Sequence, residues 1–259
     1  MKVGYWRHNQ GSGNFGDELG PVIAQAMLGR PMEKSNDMSQ PVFSVIGSIS
    51  HNLAPGSHVW GSGIMLYQLR TDDLHIHAVR GPRTEGFYRG VVPMKETIPW
   101  GDPALLLPDF YQPKPLPELT GKTGFVPHWS WWENYSDQAD ELEIFHDIHL
   151  INATDSWESV VDQIVACDRI ISSSLHGLVI ADAYLRPNLW LREDLQHHIP
   201  DLKFRDYFES ISRDFLYGTD IKDAANTSFD SPKYWTQGAT ALDLQPLRDS
   251  FPHHLFEEA

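Results

Sequence analysis

The sequence predicts an α/β protein of two Rossmann-like domains facing a cleft. Three observations carry that expectation. Short β-type runs followed by helical patterns recur through both halves of the chain. A stretch spaced by Pro113, Pro115 and Pro117 separates the halves. The segment Ile170 to Tyr184 reads as a strand running directly into a buried helix. Alternating β and α elements imply parallel strands joined by crossover helices, and proline-spaced chain makes a stiff linker. The boundary falls there, dividing the chain into residues 1–115 and 116–259, with the last helix packing back on the first domain.

In order, Lys2 to Trp6 is the first strand. A polar loop follows, and a helix is expected to begin near Pro21. The loop residues Gly11 to Gly16 formally match G-x-G-x-x-G, but Arg7 to Gln10 separate them from the strand, and Asp17 and Glu18 would repel a pyrophosphate. The dinucleotide reading is therefore rejected. A loop of this kind carrying Asn14 and Asp17 faces a cleft more often than open solvent. Val42 to Ile46, His58 to Trp60 and Leu74 to Val79 are further strands. The last ends at Arg80, where α/β proteins place ligand-binding groups, and Pro82 suits the first turn of the next helix. His75 and His77 share a strand face, but without a third ligand nearby they read as solvent-facing histidines rather than a metal site.

Beyond the linker, Thr123 to Val126 and Ile148 to Asn152 are strands. Trp157, Val160, Val161, Ile164 and Val165 have the core spacing of an amphipathic helix. Ser172, Ser173 and Ser174 are capping residues. The apolar run Leu178 to Ala183 belongs to a helix buried on nearly every face. The start of such a helix, at Ser173, Ser174, His176 and Gly177, suits a phosphate or carboxylate, with Gly177 allowing close approach to the backbone. An ordinary buried βα unit would give the same pattern. Asn188 to Leu191 is a strand, and helices are expected near 204–212 and 241–250.

Composition narrows the function. The 259 residues are 41% hydrophobic and 12% aromatic, with nine tryptophans and a net charge of −15. That charge argues against nucleic acid, whose backbone requires clustered Lys and Arg. A single cysteine, Cys167, permits no intrachain disulfide, which fits a reducing compartment. No run of about 18 apolar residues could span a bilayer. A soluble, cytoplasmic protein is expected.

Several short motifs then coincide: Asn14-Phe15-Gly16-Asp17-Glu18-Leu19, Trp60-Gly61-Ser62-Gly63, Val79-Arg80-Gly81-Pro82, Gly101-Asp102-Pro103-Ala104, Pro127-His128, Ser174-Leu175-His176-Gly177 and Lys203 to Phe208. Over roughly residues 3 to 213 the chain resembles the polysaccharide pyruvyl transferases, in particular the bacterial exopolysaccharide ketal-pyruvate branch. The resemblance implies a GT-B-like fold, with the acceptor bound on the side of residues 1–115 and the donor on the side of residues 116–259. It implies transfer of a pyruvyl group from phosphoenolpyruvate to a sugar of an exopolysaccharide or its precursor, forming a ketal and releasing phosphate, with no cofactor and no metal. The acceptor is a sugar, free or lipid-linked, and a lipid-linked one would place the enzyme at the inner face of the membrane. The alternatives are a GT-B glycosyltransferase using a nucleotide-sugar, or a carbohydrate-binding relative without turnover.

On that resemblance His176 and Asp17 are the candidate catalytic residues. Asn14, Gly16, Arg80, Arg83, His128, Ser173, Ser174 and Gly177 are the candidate substrate-binding residues. One departure stands out: another branch has Arg-Leu-His where this chain has Ser174-Leu175-His176, so an expected phosphate-binding arginine is missing. Arg83, Arg192 and Lys203 are the cations that could replace it. The tryptophans near the cleft, Trp129, Trp131 and Trp132, suit either sugar stacking or core packing.

Overall fold

Runs such as Thr123-Gly124-Phe125-Val126 and Asn188-Leu189-Trp190-Leu191 are buried at every position, as parallel strands covered on both faces require. They belong to two separate parallel sheets in a computed structural model of the chain, which describes residues 1–5, 13–139, 147–192, 201–218 and 220–257. The first sheet contains β1 (Val3–Gly4), β2 (Lys34–Ser35), β3 (Phe43–Ser44), β4 (Ser57–Trp60) and β5 (Leu74–Ala78), in the order β2-β1-β3-β4-β5. The second contains β6 (Thr123–Val126), β7 (Ile148–Leu150), β8 (Arg169–Ser172), β9 (Asn188–Leu191) and β10 (Tyr217–Gly218), in the order β10-β9-β8-β6-β7. Every pairing within each sheet is parallel.

The helices are α1 (Phe15–Leu28), α2 (Pro82–Arg89), α3 (Trp132–Gln138), α4 (Trp157–Ala166), α5 (Leu175–Ala183), α6 (Leu202–Ser210), α7 (Ile221–Asn226) and α8 (Gln245–Asp249). The first of them begins earlier than the sequence suggests. The Asn14 side chain accepts from Gly16 N–H and caps α1. Asp17 and Glu18 then sit in its first turn, where acidic groups suit the positive helix end. Pro21 lies inside the helix rather than at its start. Asp17 is therefore a helical residue, not a loop residue. Trp6 and the residues up to Ser12, including the first glycine of the formal G-x-G-x-x-G match, lie outside the described residues.

Helix α5 is buried from Leu175 to Asp182, which agrees with an apolar sequence that has no polar face. Strand alternation leaves His75 exposed, but His77 is half-buried, with its Nε2 2.8 Å from His58 Nδ1. The chain end returns to the first sheet. Trp60 Nε1 donates to the Leu247 carbonyl at 3.0 Å, and Phe251 packs edge-on against Phe43 and Trp60.

A buried ionic cluster joins α2 to α6. Asp206 of α6 accepts from Arg80 Nε at 3.1 Å, from Arg83 N–H and Thr84 N–H at 2.9 Å each, and from the Thr84 hydroxyl at 2.6 Å. Arg80 and Asp206 side chains are both fully buried. Asp206 thus serves as the N-terminal cap of α2 from 120-odd positions along the chain, while neutralising Arg80. Removing one partner of a buried pair strands the other charge, at about 3–5 kcal/mol. An Asp206→Ala variant is therefore expected to lose about 3–5 kcal/mol of unfolding free energy in denaturant melts. A Glu209→Ala variant, which breaks the more exposed Arg83–Glu209 pair, is expected to lose less than about 1 kcal/mol. Equal losses would show that the buried cluster carries no special share.

Candidate functional site

Where α1 and α5 begin, their first turns meet. Phe15 N–H donates to the Ala153 carbonyl at 3.0 Å, which ties the start of α1 to the second half of the chain. The imidazole of His176, in the first turn of α5, lies directly on Gly16. A Cβ at position 16 would fall 2.0 Å from His176 Nδ1, so no side chain is possible there. Beside this contact lies a cavity of about 220 Å³. Asn14 and Asp17 of α1 line it, together with Ser174, Leu175 and His176 of α5, Lys203 of α6, and His128 and Trp129 after β6. The opposite wall is Gly47, Ser48, Ile49, His51, Asn52 and Met65. Gly47 has φ +101, and a Cβ there would come within 2.8 Å of Asp17 Oδ1, so the chain can pass this carboxyl only as glycine.

Charge in the cavity is held in unusual states. Burial pushes the Asp17 carboxyl up to about 7, against the hydrogen bond from Asn14 and the nearby Lys203 charge. Its Oδ2 accepts from Asn14 Nδ2 at 2.9 Å. Burial pushes His176 down to about 3, assisted by the positive charges of Lys203 and Arg80. His176 is accordingly neutral near pH 7. Its Nε2 is buried without a hydrogen-bond partner and stands 3.7 Å from Asp102 Oδ2, too far for a formed hydrogen bond. Burial also raises Asp102, to about 6, although it accepts a backbone hydrogen bond from Ala104.

Helix α5 has Ser174 at its N-cap, and that side chain makes no capping hydrogen bond. The Ser174 N–H is instead occupied by Ser172 Oγ at 3.0 Å. The first N–H groups of the helix are left at the cavity, as a site for an anion. Helices α1 and α2, by contrast, are closed at their starts by Asn14 and Asp206.

Of the residues singled out from the sequence, the structure brings Asn14, Asp17, His128, Ser174 and His176 together on this cavity, with Gly16 directly behind. Ser173 stands back from it and accepts from His128 N–H at 2.8 Å, which fixes the loop after β6. Gly177 does not present backbone to a ligand. A Cβ there would lie 2.3 Å from Ser172 Oγ, so its smallness lets α5 pack on β8. Arg80 is not a cavity residue either. Its guanidinium is fully buried on Asp206, on Ser48 Oγ at 2.6 Å and on the Ile64 carbonyl at 2.9 Å, and it reaches the cavity wall only through Ser48. Arg83 is paired with Glu209 at 2.5 Å, and Arg192 with Asp201 at 3.0 Å. Among the described lining residues, Lys203 alone carries a fixed positive charge.

Asp102, named in the sequence only as part of the Gly101-Asp102-Pro103-Ala104 motif and given no site role there, stands beside His176. Sequence reasoning passed over the Gly47–Asn52 wall, where no spacing signal exists. Trp129 lines the cavity, while Trp131 and Trp132 are not among its lining residues. No group of three or more His, Cys, Asp or Glu able to hold a metal occurs among the described residues, and no helix there is long and apolar enough to cross a membrane.

The buried Asp17 gives a test of the site's electrostatics. Its carboxyl titrates near 3.8 when unfolded and near 7 when folded, so the unfolded state loses its proton first. Stability then falls as pH rises between those values and levels above them, by an amount on the order of 4 kcal/mol. His176 acts in the opposite sense: its folded value near 3 lies below the unfolded 6.5, so stability falls as pH drops through that window. An Asp17→Asn variant is expected to gain melting temperature over the parent, with a gain that grows from about pH 4 to pH 7 and is constant beyond. A gain that does not change with pH would mean that the carboxyl is not desolvated.

Comparison with known proteins bears on what this cavity serves. The family model for polysaccharide pyruvyl transferase matches residues 58–194. The chain is 25% identical to the succinoglycan biosynthesis protein ExoV of Rhizobium meliloti (strain 1021) over 266 residues, covering 95% of this chain and 76% of that protein. It is 29% identical over 182 residues to the uncharacterized protein L143 of Acanthamoeba polyphaga mimivirus, covering 67% of this chain and 62% of the viral protein's length. The solved structure of E. coli heptosyltransferase WaaC with ADP is similar at a TM-score of 0.29 and 13% identity, over 69% of this chain and 66% of that one. A likeness that weak carries no argument here.

Proposed function

Because the chain belongs to the polysaccharide pyruvyl transferase family, we propose that it transfers the pyruvyl group of phosphoenolpyruvate to a sugar of an exopolysaccharide or its precursor, forming a pyruvate ketal. The observation that carries this reading is one cavity holding an uncapped helix start, a lysine, a buried carboxyl that titrates near 7 and a buried neutral imidazole. The similarity to a succinoglycan biosynthesis protein supports the polysaccharide acceptor. We also read the two sheets as two Rossmann-like domains in a GT-B-like arrangement. They divide near residues 110–122, as the strand ranges ending at Ala78 and resuming at Thr123 suggest.

The chemistry asks for these groups. Phosphoenolpyruvate is activated by a proton delivered to its CH₂ carbon, which turns the adjacent carbon into an oxocarbenium-like centre. One sugar hydroxyl adds there and loses its proton. A second hydroxyl displaces phosphate and closes the ketal. One hydroxyl proton balances the new methyl group, and the other leaves with phosphate. Lys203 and the N–H groups of α5 bind the anionic donor. Asp17, poised near neutrality, takes the proton from the hydroxyl. His176 handles a proton or the departing phosphate, and a bound trianion beside it raises its proton affinity toward the working range. Ile49 and Met65 on one wall and Trp129 on the other offer apolar surfaces against which a sugar face can rest. No step calls for a metal, so EDTA is expected to leave turnover intact.

Phosphate release from phosphoenolpyruvate, measured against a panel of galactosides, glucosides and mannosides, is expected to depend on one acceptor class. Turnover of a nucleotide-sugar in place of phosphoenolpyruvate would overturn the reading. Lys203→Met is expected to weaken phosphoenolpyruvate binding by about 10- to 100-fold in a titration, the usual worth of a charged hydrogen bond. Arg83→Ala is expected to leave it nearly unchanged. His176→Ala is expected to lower turnover by about 10²–10⁴-fold while the variant stays folded. Partial rescue by His176→Gln would assign the residue to phosphate binding, and no rescue would assign it to proton transfer.

A further inference from the structure

Resting on that reading, the geometry points to Asp102 as a positioning residue that holds the proton of His176 on Nε2 and leaves Nδ1, on the α1 side of the ring, as the acceptor. The two edges of the imidazole face different surroundings. Nε2 points inward, is buried without a partner, and has Asp102 Oδ2 3.7 Å away. Nδ1 lies against Gly16, in the turn of α1 whose Asn14 and Asp17 line the cavity. A buried imidazole nitrogen without a partner loses the water it would otherwise bind. A carboxylate oxygen is an acceptor only, so it can satisfy that nitrogen solely when the nitrogen carries the proton. At 3.7 Å no hydrogen bond is formed, but the oxygen's negative charge attracts an Nε2–H and repels a bare lone pair. The proton therefore sits on Nε2, and Nδ1 is left as the acceptor. Hydrogen bonds of this kind are often long in the free enzyme and shorten once ligand is bound.

Asp102 is suited to the task by what fixes it. Its Oδ1 accepts from Ala104 N–H at 3.0 Å, capping the 3₁₀ segment Pro103–Asp109. The side chain is 1% exposed, so its other oxygen cannot swing away. The remaining charges that reach His176, Lys203 and Arg80, are cations that disfavour its protonation. Asp102 supplies the opposing negative charge when the ring gains a proton from a sugar hydroxyl or from Asp17. An aspartate that orients an imidazole and stabilises its cation acts in the same way in hydrolase triads.

Asp102→Asn separates this role from a purely structural one. The amide oxygen can keep the cap to Ala104, while the amide nitrogen donates to Nε2 and forces the proton onto Nδ1. In the free protein, ¹⁵N NMR of the His176 ring, assigned with His176→Ala, is expected to show an Nε2–H imidazole in the parent and an Nδ1–H imidazole in Asp102→Asn. The variant is expected to keep its melting transition and its KM for phosphoenolpyruvate, while kcat for phosphate release falls by about 10²–10⁴-fold. An Nδ1–H tautomer in the parent overturns the inference, as does a full rate in a variant whose tautomer has switched. The NMR measurement needs no substrate. A parent with the stated tautomer but no phosphoenolpyruvate turnover would overturn the proposed function and leave the Asp102–His176 assignment standing.

Discussion

The carboxylate of Asp206 is the constraint on which the rest of this site depends. Buried without compensation it would be prohibitively costly, and the fold meets the cost with donors from a single stretch: the Arg80 guanidinium, two backbone N–H groups and the Thr84 hydroxyl. Each of these belongs to the exit of β5 or to the first turn of α2. The consequence is geometric. Helix α6 is held against that turn, and Lys203, one turn before Asp206, arrives at the cavity. Through Ser48, Arg80 also braces the opposite wall. A second buried network fixes α6 from its other side. Tyr207 donates to Asp182 of α5 at 2.8 Å, Asn188 of β9 donates to the same carboxylate at 2.7 Å, and Arg213 donates to Asn188. The helix that carries the cavity's lysine is thus bolted to both sheets.

This arrangement suits an anionic ligand better than a chain of net charge −15 would lead one to expect. Long-range repulsion from the surface is screened within about 8–10 Å at ordinary ionic strength, so local charge decides. In the free protein the cavity has Lys203, an Asp17 that is only partly ionised near neutral pH and a neutral His176. Its negative charge is therefore partly suppressed where the start of α5 offers its N–H groups. The same burial that holds back the ionisation of Asp17 makes it a stronger base once it ionises, which is the usual means of tuning a carboxyl for work near pH 7.

How much of this could be read from the sequence differs from residue to residue, for physical reasons. The β8–α5 unit was legible because capping serines followed by an all-apolar run leave few alternatives, and the strands at 123–126 and 188–191 coincide with the expected ones. The start of α1 was misplaced because Pro21 is a strong helix-start signal, whereas the Asn14 cap is a weaker local one. Arg80 was misread for a deeper reason. An arginine at the C-terminal end of a strand has the right address for a ligand contact, and only the partner 126 positions away reveals that its charge is already engaged. Likewise Gly177 had the pattern of a close-approach glycine, yet it is the contact with Ser172 that requires it.

The family match spans residues 58–194, and the cavity does not end there. His128, Ser174 and His176 fall within that span, as does Asp102. Asn14, Asp17 and the Gly47–Asn52 wall precede it, and Lys203 follows it. The contact between Gly16 and the His176 ring joins the two sets: it seats the imidazole on α1 and leaves no room for any side chain at position 16. Helix α1 cannot shift without moving the imidazole, and the imidazole cannot move without losing its place beside Asp102. The groups that could choose an acceptor, on α1 and the opposite wall, are in this way held in register with those that could bind a donor, at the start of α5. A substitution at Gly16 would disturb both at once, because the obstacle is the ring itself rather than a flexible side chain that could swing aside.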